Sequence, residues 1–125
     1  MQYQGPPESI VVTMPLAFFK EYTIEKFEDE MAAMKTNSLV WYRVVKNLPK
    51  FQTLYCYIVY YNKIQWRTNI LEFEKNMTRT FVRPEGGIRT FQNVNAILLC
   101  GPTIKAPIDF PMKGFQGFRY SEKIF

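Results

Sequence analysis

Residues 54–74 read LYCYIVYYNKIQWRTNILEFE. Two runs rich in Tyr, Ile, Val, Trp and Phe, 54–61 and 64–74, flank Asn62-Lys63. Such side chains pack well on a pleated surface, and Asn tolerates the positive φ of a tight turn, so the stretch reads as a β-hairpin. Lys is an unusual second residue for that turn, where Gly is common, so a longer loop stays open. A two-residue turn at Asn62-Lys63 sets Tyr61 opposite Ile64, Val59 opposite Trp66, Tyr57 opposite Thr68 and Tyr55 opposite Ile70, which gathers aromatic rings on one face. The other face then carries Tyr60 with Gln65, Ile58 with Arg67, Cys56 with Asn69 and Leu54 with Leu71. The expectation is the central hairpin of a small barrel or strongly bent sheet.

On the N-terminal side, residues 1–9 hold Gly5-Pro6-Pro7 and read as an extended arm. IVVTM at 10–14 is a β-branched run ended by Pro15, so a strand. Residues 16–22 fit either a strand extension or a turn. Thr23 is a good N-cap, Glu25 suits the positive end of the helix dipole, and Ile24, Phe27, Met31 and Met34 recur at spacings of three and four. This predicts an amphipathic helix over 24–35, its apolar stripe on a sheet and its acidic residues Glu25, Glu28, Asp29 and Glu30 turned outward. LVWYRVV at 39–45 is a strand that contains Arg43, and residues 46–50 form a basic turn.

On the C-terminal side, KNMTRTFVRPEGGIRTFQ at 75–92 carries Lys75, Arg79, Arg83 and Arg89 against Glu85 alone. Residues 80–83 and 88–91 read as short strands or arms around a Pro-Glu-Gly-Gly tip. VNAILLC at 94–100 is a buried strand, and Gly101-Pro102 is expected to turn the chain. In the tail, Pro107 and Pro111 oppose a regular central strand, and Gly114 and Gly117 suggest close approach or special backbone angles.

A chain of 125 residues is one domain on size, and 47% hydrophobic content is ample for a core. Without His, every His-based general base, nucleophile pair and metal site is excluded. Cys56 and Cys100 lack CxxC spacing, so no metal site is expected; buried free thiols in a reducing compartment are. No cofactor motif is present: GxSxG, GxxxxGK[ST] and GxGxxG are all missing. Neither a signal-peptide pattern nor an apolar run of roughly 18 residues occurs, so the expected location is cytoplasmic and the expected partners do not include a membrane. Net charge is +5. Residues 1–62 hold six Lys/Arg and six Asp/Glu, whereas 63–125 hold ten against five. A one-sided excess of cations favours a polyanion, although a merely soluble basic protein has the same composition.

Aromatic and basic residues interleave at Trp41 and Arg43, at Trp66-Arg67, and at Lys113, Phe118 and Arg119. Rings stack on bases and cations hold phosphate, so these positions, with Arg79, Arg83 and Arg89, are the candidate nucleic-acid-binding residues. The alternative is that each ring simply fills the core.

The order of elements, together with a long hairpin carrying the pattern K-I-x-x-R-x-x-I, resembles the PUA-like superfamily, the ASCH and EVE/YTH-type domains. ILLCGPTIKAPI and PMKGFQGFRY are similar to the closing strands of such domains. The likeness covers most of the chain, 10–120, leaving 121–125 as a tail. Trp66 departs from it, since these domains often place a Gly near that position. The resemblance implies an α+β PUA-like pseudobarrel with one main amphipathic helix, whose cleft holds RNA, DNA or a modified nucleobase; the expectation is a binding module without catalysis. It also implies an alternative. Some ASCH members are amidohydrolases acting on acylated cytidine, with a Lys-Thr pair and a Glu, roles that Lys35, Thr36 and Glu74 would take. A third reading is a small protein-binding factor of phage or mobile-element origin.

Overall fold

A computed structural model describes residues 7–14, 23–34, 40–82 and 87–125. Among them are one helix, α1 (Ile24–Ala33), and six strands: β1 (Ser9–Thr13), β2 (Val40–Val45), β3 (Tyr55–Tyr60), β4 (Lys63–Val82), β5 (Ile88–Lys105) and β6 (Phe118–Ser121). The strands form one mixed sheet in the order β2-β5-β4-β3-β1-β6. Only the β1–β3 pairing is parallel.

The sheet curls into a half-barrel, and its own contacts require this. Arg43 on β2 donates from Nη2 to the carbonyl oxygen of Thr13 on β1 at 3.1 Å. Strands β5, β4 and β3 lie between those two in the sheet. A flat sheet would hold β1 and β2 about 19 Å apart, beyond any side chain's reach. The inner face collects Ile10 and Val12 of β1, Cys56, Ile58 and Tyr60 of β3, Trp66 of β4, and Ile97 and Leu99 of β5. Trp41 from one edge strand and Phe118 from the other pack against this same cluster.

Helix α1 fills the curl. Thr23 caps it, its hydroxyl oxygen accepting from Lys26 N–H at 3.3 Å, as the sequence leads one to expect. Phe27, Met31 and Met34 are buried in the inner core. Thr103 of β5 donates to the Met31 carbonyl at 2.5 Å, which satisfies one of the acceptors a helix end leaves open.

The outer face is also covered. Val11, Tyr57, Val59 and Ile64 are buried beneath Phe110, Met112, Phe115, Ile124 and Phe125, which arrive on the chain after β5. Burial on both faces explains why SIVVT and YCYIVY read as unbroken apolar runs rather than alternating ones. This strap lies close on β1: a Cβ at Gly114 would stand 3.1 Å from Thr13 Cγ2, and Gly117 has φ +75°. Both glycines therefore occupy the kind of position their sequence context suggests.

Three expectations are corrected. The hairpin turn is Tyr61-Asn62, both at positive φ (54° and 59°) as a type I′ turn requires, with Tyr60 paired to Lys63. Asn thus takes the second turn position, and Lys63 stays in β4, paired with Asp109 at 3.2 Å. Gln65 is then an extra residue, because Val59 faces Ile64 while Ile58 faces Trp66. That bulge moves Trp66 to the inner face, away from Val59 and Tyr57. Secondly, β4 and β5 are single strands of 20 and 18 residues rather than several short ones. Thirdly, Gly101-Pro102 does not turn the chain. It lies within β5, where pairing passes from Asn69↔Cys100 to Arg67↔Ile104. The intervening irregularity accommodates a proline, which has no N–H to give the ladder. The Gly101-Pro102 peptide bond is cis.

Both cysteines are free. Burial pushes the Cys56 thiol up to about 12, against the smaller opposing effects of Arg43 and a hydrogen bond with Thr68. A thiol-reactive disulfide reagent at pH 8 should therefore modify Cys56 only after unfolding; rapid modification of the native protein at Cys56 contradicts this burial. Arg43→Ala should destabilise the fold by about 2 kcal/mol, the scale of a hydrogen bond to a charged donor. Arg43→Met, which keeps the stem's packing, should recover part of that loss in urea denaturation. Equal stability of Arg43→Ala and the parent protein would remove the strut from the account.

Candidate nucleic-acid interface

The candidate residues fall into three groups. The inner group is structural. Trp66 is only 3% exposed, and its indole N–H donates to Glu28 Oε2 and to Tyr60 Oη, both at 3.1 Å. Trp41 is half-buried with its ring edge-on to Phe27, centroids 5.4 Å apart. Arg43 spans the interior, and burial lowers its pKa from the ordinary guanidinium value. Phe118 is half-buried against the same core.

The outer group ties down the strap. The Arg67 guanidinium lies over Tyr55, 4.5 Å from the ring centroid, and donates to the Phe125 carbonyl. Tyr57 donates to that same carbonyl at 3.0 Å and accepts from the N–H groups of Ile124 and Phe125. Arg119 is exposed, 4.2 Å over Phe115. Lys113 is exposed on the strap.

The third group lies on the outer parts of β4 and β5. Strand β3 pairs with β4 only as far as Asn69, and β2 pairs with β5 only from Asn95 onward. From Met77↔Val94 to Val82↔Ile88 the two strands pair, among the described residues, with each other alone. They form a free two-stranded ribbon. Asn76 and Asn93 at its root have positive φ (54° and 52°), and the register shifts on both sides of Met77. Such irregularities bend and twist a ribbon away from its sheet. Arg79↔Phe91 and Phe81↔Arg89 alternate in register with Thr80↔Thr90 and Val82↔Ile88. Exposed Lys75 stands at the root. Arg79 is exposed and paired with Glu74 at 3.1 Å, a contact that raises its pKa. Arg83 lies outside the described residues.

Of the residues implied by the hydrolase alternative, Lys35 and Thr36 also lie outside the described residues. Glu74 accepts from Arg79 through both carboxylate oxygens, at 3.1 and 3.2 Å.

Two clusters escaped the reading of the sequence. The first joins α1, β3, β4 and β5: Glu28 accepts from Tyr60 and Trp66, and Lys105 Nζ lies 3.5 Å from Glu28 and 4.9 Å over the Trp66 ring. Burial, then the bond to the Glu28 carboxylate, raises the Tyr60 pKa, so the phenol remains a donor. The sequence pattern turns Glu28 outward with Glu25, Asp29 and Glu30; instead, next to Phe27 of the stripe, it faces Tyr60 and Trp66. The second cluster is Phe51 and Tyr120, with ring centroids 5.4 Å apart. Phe51 is 47% exposed and Tyr120 38% exposed. An unneeded ring at the end of the basic turn 46–50 was the clue to it. Among the described residues no group of His, Cys, Asp and Glu could hold a metal, and no helix is long and apolar enough to cross a membrane.

Glu28→Ala should cost about 1–3 kcal/mol, because the buried Tyr60 hydroxyl loses its acceptor. Tyr60→Phe should cost less, since Trp66 keeps Glu28. Urea unfolding followed by Trp fluorescence ranks the two, and a larger loss from Tyr60→Phe overturns this assignment.

Set against known proteins, the chain matches no family model, no curated protein and no solved structure.

Proposed function

We propose that this protein is a non-catalytic nucleic-acid-binding module on a PUA-like pseudobarrel. The curled mixed sheet with α1 inside it supports the PUA-like part. The observation that carries the binding part is the free ribbon of β4 and β5. Its root is packed, with Met77, Phe91 and Val94 against Ala96, Leu98 and Tyr42, while farther out, among the described residues, no third strand pairs with it and Arg79 and Thr80 are exposed. Residues 75–92 supply Lys75, Arg79, Arg83 and Arg89 against the single acid Glu85. Guanidinium and ammonium groups on a narrow arm meet phosphates from two sides, and a β-ribbon is slim enough to lie along a nucleic-acid groove.

Binding of this kind is driven by counterion release. Affinity for a fluorescent oligonucleotide should therefore fall linearly on a log–log plot against salt. Lys75→Ala with Arg89→Ala should weaken binding and reduce the magnitude of that slope by roughly 1.4–1.8, two phosphate contacts' worth. Lys75 is exposed, so Lys75→Ala on its own should hardly change the melting temperature. An affinity that ignores salt, or a double variant that binds as the parent does, sinks the proposal. Capture of a protein that survives nuclease treatment, without direct nucleic-acid binding, would favour the protein-binding reading instead.

A further inference from the structure

The geometry points to Phe51, backed by Tyr120, as a stacking platform for a base of single-stranded nucleic acid, reached along a basic track that starts at the ribbon root. This rests on the nucleic-acid reading above and adds a second, base-contacting site to it.

The track is laid out by hydrogen bonds. At the ribbon root, Asn76 N–H donates to Asn95 Oδ1 at 3.3 Å. Asn95 Nδ2 in turn donates to the Lys46 carbonyl at 3.0 Å. Four residues later, Lys50 N–H donates to the Tyr120 hydroxyl at 2.6 Å. Lys46 and Lys50 are thus no more than about 14 Å apart along the chain. The segment crosses from the end of β2 to β6, the two edges of the half-barrel, and so lines the seam between them. Lys46 and Lys50 are both exposed, and residues 46–53 contain no acid. The neighbouring acids are Glu8, whose carbonyl takes the Leu54 N–H at 2.7 Å, and Glu122, which follows β6.

The rings sit at the end of this track. Tyr120 is fixed twice, by Lys50 N–H on its hydroxyl and by Phe118 edge-on at 5.4 Å. Phe51 rests on Tyr120 and is the more open of the two. An exposed ring held by its neighbours, next to lysines, is how single strands are bound without sequence preference: cations follow phosphates and every base offers a π-face. A base inside a duplex cannot reach such a ring. The occupant is therefore single-stranded.

The test measures the affinity of one oligonucleotide, single-stranded and as a duplex, for the parent protein, Phe51→Ala and Phe51→Leu. Phe51→Leu keeps apolar volume and removes the π-face, so it guards against a merely structural loss. Both variants should bind the single strand about tenfold more weakly with an unchanged salt slope, and the duplex as the parent does. Phe51→Trp should bind the single strand at least as well as the parent. If either variant binds the single strand as tightly as the parent, the platform is overturned and the ribbon reading stands. Equal losses on single strand and duplex also overturn it. If the parent binds neither at low salt, both readings fall.

Discussion

The guanidinium of Arg43 reaches across the inside of the sheet to a backbone carbonyl on β1, with three strands between, and that crossing is possible only because the sheet is curled. Drawing a cation out of water is costly, and here its Nε finds no partner. The arrangement is sustained because the curl that allows it also wraps apolar residues of every strand around Phe27, Met31 and Met34. Hydrophobic burial of a single such side chain contributes about 1.5–3 kcal/mol, so the twelve residues of the inner cluster far outweigh one desolvated guanidinium. Arg43 thus ties edge strand β2 to β1 across the curl, while the core supplies the stability.

The outer face follows the same logic. Strands buried on both sides leave no flat surface for a ligand, and charges are expelled to the margins. Arg67, the cation that does enter, holds Phe125, while at the surface Lys63 pairs with Asp109 on the strap. Among the described residues, exposed cations on parts the sheet does not cover are Lys75 and Arg79 on the ribbon, Lys46 and Lys50 at the seam, and Lys113, Arg119 and Lys123 near the end; Lys26 on α1 and Lys105 on β5 are exposed as well.

The helix with its Thr23 cap, the bent sheet and the two glycines of the strap were legible because each rests on local chemistry. The hairpin register was not. A turn one residue earlier and a bulge at Gln65 separate the predicted pairing from the real one, and no period-2 pattern reveals a bulge when both faces are buried and apolar alike. That difference decides the fate of Trp66, which reads as a candidate ring and is instead a core residue bonded to Glu28. Strand length was hidden too. Asn76, Asn93 and Pro102 are residues that normally break a strand, yet each sits at a bulge or shifted register where the chain continues. Among candidates for binding, distance along the chain concealed Phe51 and Tyr120, which Lys50, seventy residues from Tyr120, joins.

That last contact also bears on affinity. An exposed aromatic side chain free to rotate loses about 0.5–1.5 kcal/mol of freedom when a partner immobilises it. Tyr120 has already been immobilised, by the Lys50 N–H and by Phe118, and Phe51 leans on it. The ordering was done when the barrel closed. The curl brings β6 round to the end of β2, the seam is spanned by a short basic segment, and that segment orients the ring beside it. A flat sheet with the same residues would scatter them over about 24 Å of its width, five strand spacings. The site therefore exists only as far as the sheet is bent, and the force that bends the sheet is the burial of the helix inside it.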